Sequence, residues 1–462
     1  MSIFFYSDGA AECVTGSKHY LEIDGQTYQI DCGMIQGEEA ANTMNREWQS
    51  PVSTDRLSGV FLTHAHADHS CLLPKLVKDG YKGKIWSTPA TRDLASIIML
   101  DSSKIQKYEK PGPAYEESHV IDTIDQFRCH FYKKYKRIND DIAFTFYDAG
   151  HILGSSMIDF EIKQKRFFGL LKKEATHILF TGDLGRDSNP ITHSPATDMP
   201  APHYIIMEST YGNRLHEPIG NAYLDLMKII NATIEKGGKV IIPSFAVERA
   251  QELIYYIKTL MQDKKIPRVP VYVDSPMASN ATGVFNIHPE CLNQEISDKF
   301  LSKGKNPFSV SSLRFITDFG DSITVAKSKK PAIIISASGM CEAGRILNHL
   351  KYGLNNSKNT IIFVGYQAEN TLGRKILDGN KKVSIDKKEY NVNAEIAQIQ
   401  AFSSHADYNE MLKWLNKIDT SKLKKIFLVH GDKDAQAHLK NFLEDKGFTV
   451  EIVKRSEQYK LI

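Results

Sequence analysis

The pattern of apolar and polar positions changes style twice along the chain. Through roughly the first 200 residues, short apolar runs of strand length end on polar, glycine-containing turns. The stretch HYLEIDGQTYQIDCG (19–33) carries two such runs about Asp24-Gly25, a dipeptide that accepts the positive φ angles of a two-residue turn, and predicts a β-hairpin. LSGVFLT (57–63), IAFTFYDAG (142–150) and THILFTGDLG (176–185) predict further strands. Each runs into a polar end, so the polar residues are expected on loops along one sheet edge.

Between about 235 and 380 the rhythm becomes strand, small-residue turn, amphipathic segment. GGKVIIPSFAVERAQELIYYIKTLM, RVPVYVDSPMASNATGVF, KKPAIIISASGMCEAGRILNHLKYGL and KNTIIFVGYQAENTLGRKIL each follow it. Four such units in succession predict a mostly parallel sheet with helices on its faces. After about 395 the first style returns in AEIAQIQAFSSHAD, a helix YNEMLKWLNKI and KKIFLVHGDKD. The chain therefore reads as one domain interrupted by an α/β insert, with segments 1–207 and 396–462 flanking 208–395.

A length of 462 residues agrees with more than one core. Fifty-eight Lys and Arg against 55 Asp and Glu leave a net charge of +3, so any polyanion site must be local. No run reaches membrane-span length, and the start MSIFFYSDGA lacks the basic and apolar regions of a signal peptide; the expected location is the cytoplasm. Six cysteines without a C-x-x-C pair are expected to be reduced, with Cys32 and Cys71 as buried fillers rather than ligands.

The chemistry concentrates at the predicted strand ends. FLTHAHADHSCLLPK (61–75) places His64, His66, Asp68 and His69 within six positions, where an extended segment should turn into a helix ADHSCLLPKLVKDG. In an extended H-x-H both imidazoles point to one side, and a mixture of imidazole and carboxylate suits zinc. Asp31, His151, Asp183, His405 and His430 stand at other strand ends. A carboxylate can bridge two ions, which makes Asp183 the candidate shared ligand. His119, His130, His177, His193, His203, His216, His288, His349, His438 and His19 lack such surroundings and are expected to be ordinary packing or surface residues.

The motif THAHADHSCLLP resembles the metallo-β-lactamase signature H-x-H-x-D-H, and ESTYGNR, FSSHAD and LVHGD resemble the extra motifs of its β-CASP branch of nucleic-acid-processing nucleases. The resemblance spans nearly the whole chain and is nearest to the RNA-acting members. It implies an αββα metallo-β-lactamase sandwich with an inserted β-CASP α/β domain of mostly parallel sheet acting as a lid. It further implies two Zn2+, one held by His64, His66 and His151, the other by Asp68, His69 and His430, with Asp183 between them and Asp31 orienting the ligands from behind. A histidine at 430 points to RNA, since DNA-acting relatives carry an apolar residue there. Cys71, where many relatives have glycine, and Cys13 depart from the family pattern without touching a proposed ligand.

The implied reaction is hydrolysis of single-stranded RNA, with endonucleolytic cutting set ahead of 5′-to-3′ trimming. Asp68 and the metals would handle the attacking water, His405 would be the general acid and Glu208 would hold its imidazole. In the insert, Ser336, Ser338 and Gly339 would let backbone N–H groups meet a phosphate at a helix start, with Arg345 and Arg374 adding charge. The basic-aromatic stretches 131–137 and 163–173 could grip RNA, though a lysine-protected sheet edge is the preferred reading. Little length remains for an added RNA-binding domain, so target choice is expected to rest on the cleft or a partner; a homodimer stays open. The competing readings are a hydrolase of a small ester, thioester or lactam on the same fold, and a non-catalytic RNA-binding subunit.

Overall fold

The computed structural model of the chain describes residues 2–37, 40–108, 110–163, 175–216, 219–365, 367–399 and 402–462. Apart from Lys163, the basic stretch 163–173 lies outside these residues. The backbone divides into two compact units, Met1–Leu215 with Ser404–Ile462, and His216–Ser403.

The first unit contains two seven-stranded sheets. One runs, in spatial order, Tyr459–Lys460, Ile3–Gly9, Lys18–Ile23, Gln26–Ile30, Leu57–Phe61, Ile85–Ser87 and Phe127–Cys129; the other runs Val450–Ile452, Lys425–Val429, Tyr204–Glu208, Thr176–Phe180, Ser156–Ile162, Ile142–Asp148 and Lys136–Arg137. The predicted hairpin forms with Ile23 opposite Gln26, and Asp24 and Gly25 take φ of 45° and 81°. Period-two alternation sorts the side chains. Ile142, Phe144 and Phe146 pack with Phe5, Leu21 and Phe61 between the sheets, while Tyr147, Met207 and Leu428 turn to the other face. Phe61 meets the rings of Phe144 and Phe160 edge-on at 4.9 Å each. A buried side chain of this size is worth roughly 1.5–3 kcal/mol, so this aromatic layer clamps the two sheets together.

The outer face of the second sheet is covered by the helices Tyr408–Lys417 and Lys433–Glu444 through Met411, Trp414, Leu415, Leu439 and Leu443. The first of these helices starts in a capping box: Asp407 accepts from the Glu410 N–H at 2.8 Å, and Glu410 accepts from the Asp407 N–H at 3.1 Å. That cap fixes where the preceding loop, which carries His405, must end. The predicted helix over 67–80 is broken into Ala67–Ser70 and Leu73–Lys78. Pro74 is the cause, since it lacks an N–H and is tolerated only in a first turn.

The second unit is built on a six-stranded sheet in the order Leu313–Phe315, Val271–Asp274, Ala332–Ser336, Lys239–Pro243, Thr360–Phe363 and Glu395–Gln398. Every neighbouring pair is parallel. Ile241, Ile334, Ile361 and Phe363 form one face of its core with Ile346 and Leu350 of the helix Ile346–Gly353. Lys136–Arg137, within the basic stretch 131–137, is an exposed two-residue edge strand. No helix among the described residues is long and apolar enough to cross a membrane.

Candidate metal centre

The strands of the first unit deliver their polar ends to a common edge. Asp31 follows Gln26–Ile30, His64 and His66 follow Leu57–Phe61, His151 follows Ile142–Asp148, Asp183 follows Thr176–Phe180, Glu208 ends Tyr204–Glu208, and His430 follows Lys425–Val429. Asp31 and His430 sit at φ of 61° and 51°, a left-handed conformation that costs a side-chain-bearing residue on the order of 1 kcal/mol or more. Each is secured by its own N–H, Asp31 to the Phe61 carbonyl at 2.8 Å and His430 to the Ala10 carbonyl at 2.7 Å.

Three groups of donor atoms result: His64, His66, His151 and Asp183; Asp68, His69 and His430; and Asp183, Glu208 and His405. In the first group His66 Nδ1 lies 3.1 Å from His64 Nε2 and 3.2 Å from His151 Nε2, and Asp183 Oδ2 lies 3.4 and 3.6 Å from those same Nε2 atoms. In the second, His69 Nε2 and His430 Nε2 are 3.0 Å apart, with Asp68 Oδ2 3.4 Å from the latter. Asp183 Oδ1 faces this group, 3.3 Å from His69 Nε2 and 3.5 Å from His430 Nδ1. Asp183 thus turns one oxygen to each group.

The donor set suits a metal on its own chemistry. Atoms placed tetrahedrally at 2.0–2.1 Å from a zinc ion lie roughly 3.3 Å from each other, which is the spacing seen here. Asp183 Oδ1 is buried without a hydrogen-bond donor. Burial drives His64 down to about 3 and His66 to about 4, and, helped by the charge of His405, takes His151 well below its ordinary value. These imidazoles are therefore neutral, the form that ligates. Burial would raise the pKa of Asp183, but His430, His69 and His64 outweigh it and keep the carboxylate ionised.

Behind the donors, Asp31 Oδ2 accepts from His69 Nδ1 at 2.8 Å, and its carboxylate also takes the Thr63 N–H at 2.8 Å and the Thr63 hydroxyl. Such a partner sets the tautomer and ring angle of an imidazole. His405 is positioned by a β-bridge to Gly185 and by the Ala406 N–H on the Leu184 carbonyl at 2.8 Å. Its Nδ1 lies 3.0 Å from Glu208 Oε1, which also accepts the Leu184 N–H at 2.6 Å. Burial lowers the His405 pKa, but Glu208, Asp183 and Asp68 more than reverse this and raise it to about 9. The centre opens on one side: His405 and Asp68 are 20% and 17% exposed, whereas His64 and Asp183 are sealed.

Thr63 and Thr210 went unread in the sequence. Thr210 Oγ1 lies 3.0 Å from His430 Nδ1 and Thr63 backs Asp31, across 220 and 32 residues respectively. The only local sign was their place beside H-x-H and E-S. Of the histidines set aside, His177, His193 and His349 pair with Asp159, Asp148 and Asp274, and His19 is buried against Ser7. Cys32 and Cys71 are buried thiols pushed up to about 12 by burial, and all six cysteines are free.

The phosphate-site candidates lie in the second unit. Ser336 ends its strand, buried, with its hydroxyl on the Asp274 carbonyl at 2.9 Å. Ser338 bonds to Ala343 within the turn, and the Gly339 carbonyl accepts from Gln367 at 3.0 Å. The following helix begins only at Ile346, so 336–339 belong to a closed turn rather than to a helix start. Arg345 is engaged by Asp274 at 2.8 Å and by the carbonyls of Ile316 and Thr317; Arg374 pairs with Asp378 at 2.8 Å.

Known proteins resemble this chain in sequence and in fold. Residues 250–376 match the Beta-Casp domain family, and residues 389–453 match the family described as Zn-dependent metallo-hydrolase RNA specificity domain. Ribonuclease TTHA0252 of Thermus thermophilus is 33% identical over 449 residues, 97% of this chain and 98% of that protein. Transcription termination factor FttA of Methanothermobacter thermautotrophicus is 32% identical over 89% of this chain and 64% of its own length. A crystal structure of a protein of unknown function from Enterococcus faecalis V583 matches the fold over 100% of both chains, with a TM-score of 0.58 at 13% identity.

Proposed function

The chain belongs to the β-CASP branch of the metallo-β-lactamase RNA nucleases, and from that premise we propose that it is a zinc-dependent hydrolase of single-stranded RNA that uses two metal ions and a histidine general acid. The observation that carries this reading is the carboxylate of Asp183, one oxygen turned to His64 and His151 and the other to His69 and His430. A lone ion would need only one of those oxygens.

His64, His66 and His151 would hold one ion, Asp68, His69 and His430 the other. When bound, the pair supplies Lewis acidity toward the phosphate oxygens and an activated water at neutral pH. Asp31 and Thr63 keep the His69 ring aimed at the centre. Glu208 engages His405 Nδ1, so Nε2 is the nitrogen assigned to deliver the proton. As the P–O bond to the leaving ribose oxygen breaks, Nε2–H protonates that oxygen and the electron pair returns to the ring. The partly exposed His405 and Asp68 mark the side from which RNA enters. The six free cysteines fit a reducing compartment, the cytoplasm.

The test is to incubate circular RNA and linear RNAs bearing 5′-triphosphate or 5′-monophosphate with wild type and His405→Ala, beside a chromogenic lactam, with metal content read by elemental analysis. Expected are close to two zinc per chain in both proteins, RNA cleavage by wild type, and loss of roughly 10²–10⁴-fold in the variant. Cutting of circles reports internal cleavage; trimming of 5′-monophosphate ends reports exonuclease action. Lactam turnover without RNA turnover would sink the proposal.

A further inference from the structure

Well away from the metal-ligating cluster in sequence, the second unit carries a concavity of about 370 Å³ lined by Lys258, Arg268 and Lys305 together with Met261, Asn306 and Ser309, and no carboxylate is among its lining residues. It lies near the amino ends of the parallel strands, where the Val271 N–H donates to the Ser312 carbonyl at 2.9 Å. Asp274 and Ser336 are at the opposite, carboxyl ends. The concavity is therefore separate from the small-residue turn at 336–339.

Its charge is not explained by the fold. Lys258 is engaged structurally, since its ammonium donates to the Asn306 carbonyl and sits 4.4 Å over the Phe300 ring. Arg268 and Lys305 are not, for both are exposed and neither guanidinium nor ammonium bonds or pairs with any described residue. Cations near a helix C-terminus often serve its last carbonyls, but on the helix Arg249–Gln262 those are already taken. The N–H groups of Asp263, Lys264 and Lys265 bond to Thr259, Met261 and Leu260 at 2.9, 3.2 and 2.8 Å. Gathering three cations without a counter-charge has a cost that shows in Lys258, which burial and then Lys305 push down to about 8. Asn306 is exposed and lines the concavity, and the Phe308 N–H on its side-chain oxygen at 2.7 Å leaves the amide NH2 as its donor end. The volume falls within the range of roughly 300–1,000 Å³ typical of small-ligand sites.

We propose that this concavity is a second anion site, which takes one nucleotide unit: its phosphate on Arg268, Lys305 and the Asn306 amide, and its apolar face against Met261. Phosphate-to-guanidinium contacts of this kind are charge-assisted and geometrically selective. The inference does not rest on the catalytic reading, since it requires only binding. The phosphate can come from a free nucleotide or from a flexible RNA strand, and the two sources are separable.

The experiment uses the full chain with its metals. Adenosine 5′-monophosphate and inorganic phosphate are titrated calorimetrically, and binding of a labelled 20-nucleotide single-stranded RNA is measured against salt, for wild type, Arg268→Gln/Lys305→Gln and Ser309→Asp. The substituted residues are exposed and unpaired, so folding should be preserved, as thermal melts will show. If free nucleotide is the source, both variants weaken monophosphate binding by at least tenfold. If the strand is the source, monophosphate binding is unchanged, RNA binding weakens, and the slope of log K against log salt falls by about 1.4 for two lost phosphate contacts in the double variant. Unchanged affinities and slope in both variants would overturn the proposal. Failure of RNA cleavage would instead strike the catalytic reading and leave the monophosphate titration interpretable.

Discussion

His405 Nδ1 and Glu208 Oε1 lie 3.0 Å apart across 197 residues of chain, and the partner carboxylate is almost wholly buried. The pair raises His405 to about 9 despite burial that opposes it. A group that must be protonated to act loses activity as pH rises through its pKa. Replacing the carboxylate by an amide removes the stabilisation of the charged form. Glu208→Gln should therefore move the alkaline limb of kcat/KM to lower pH, and at neutral pH cost up to about 10²-fold in rate. The check is a pH profile at constant metal content; a profile that overlays wild type would show that Glu208 does not act through His405.

Asp31 touches His69 at 2.8 Å and stands outside the three donor groups. Asp31→Ala should weaken zinc binding by roughly 10–100-fold, measured by competition with a chelator. It should also destabilise the fold by about 1–3 kcal/mol in denaturant, because the buried Thr63 N–H loses its acceptor.

Gly33 decides where Asp68 can be. A Cβ at Gly33 would stand 1.6 Å from the Asp68 carbonyl oxygen and 2.6 Å from the His69 nitrogen, both backbone atoms that cannot swing aside. The surrounding bonds, Ser17 N–H to the Asp68 carbonyl and Cys32 N–H to the His69 carbonyl at 2.8 and 2.7 Å, hold the Asp68–His69 backbone against two other segments of the chain. Gly33→Ala should therefore lower the metal content of the purified protein while the second unit remains folded. Full metal occupancy in that variant would remove Gly33 from the site.

Asp274 gathers a buried cluster in the second unit, receiving Arg345 at 2.8 Å, His349 at 2.7 Å and the Ser322 hydroxyl at 2.5 Å. Burial would raise its pKa, but those donors outweigh it and hold the carboxyl below its usual range. A depressed pKa contributes stability that is complete above the unfolded value of about 3.9 and lost as pH falls through the folded one. Asp274→Ala should cost about 3–5 kcal/mol at neutral pH by stranding Arg345 and His349. Wild type and variant should converge as the solution is acidified, which denaturant melts at several pH values will read.

The local pattern of the chain was enough for what depends on near neighbours. Alternation marked the strands, Asp24-Gly25 marked a turn because that pair tolerates positive φ, and four strand-and-helix repeats announced a parallel sheet. The cluster from His64 to His69 was legible because its donors lie within one strand end and one helical turn. Assembling the remaining donors at a common strand edge was a reading of where several predicted strands would finish, supported by the family likeness.

What the pattern could not decide was pairing over long distance. Whether a histidine meets a donor group or a lone carboxylate depends on which strand lies alongside: His430 comes to His69, while His349 goes to Asp274 and His177 to Asp159. Arg345 shows the same limit, since nothing near it in the chain reveals that Asp274, 71 residues earlier, takes its guanidinium. Thr63 and Thr210 were invisible for that reason too. Periodicity records which face a side chain takes, and only the packed sheets determine what stands opposite it.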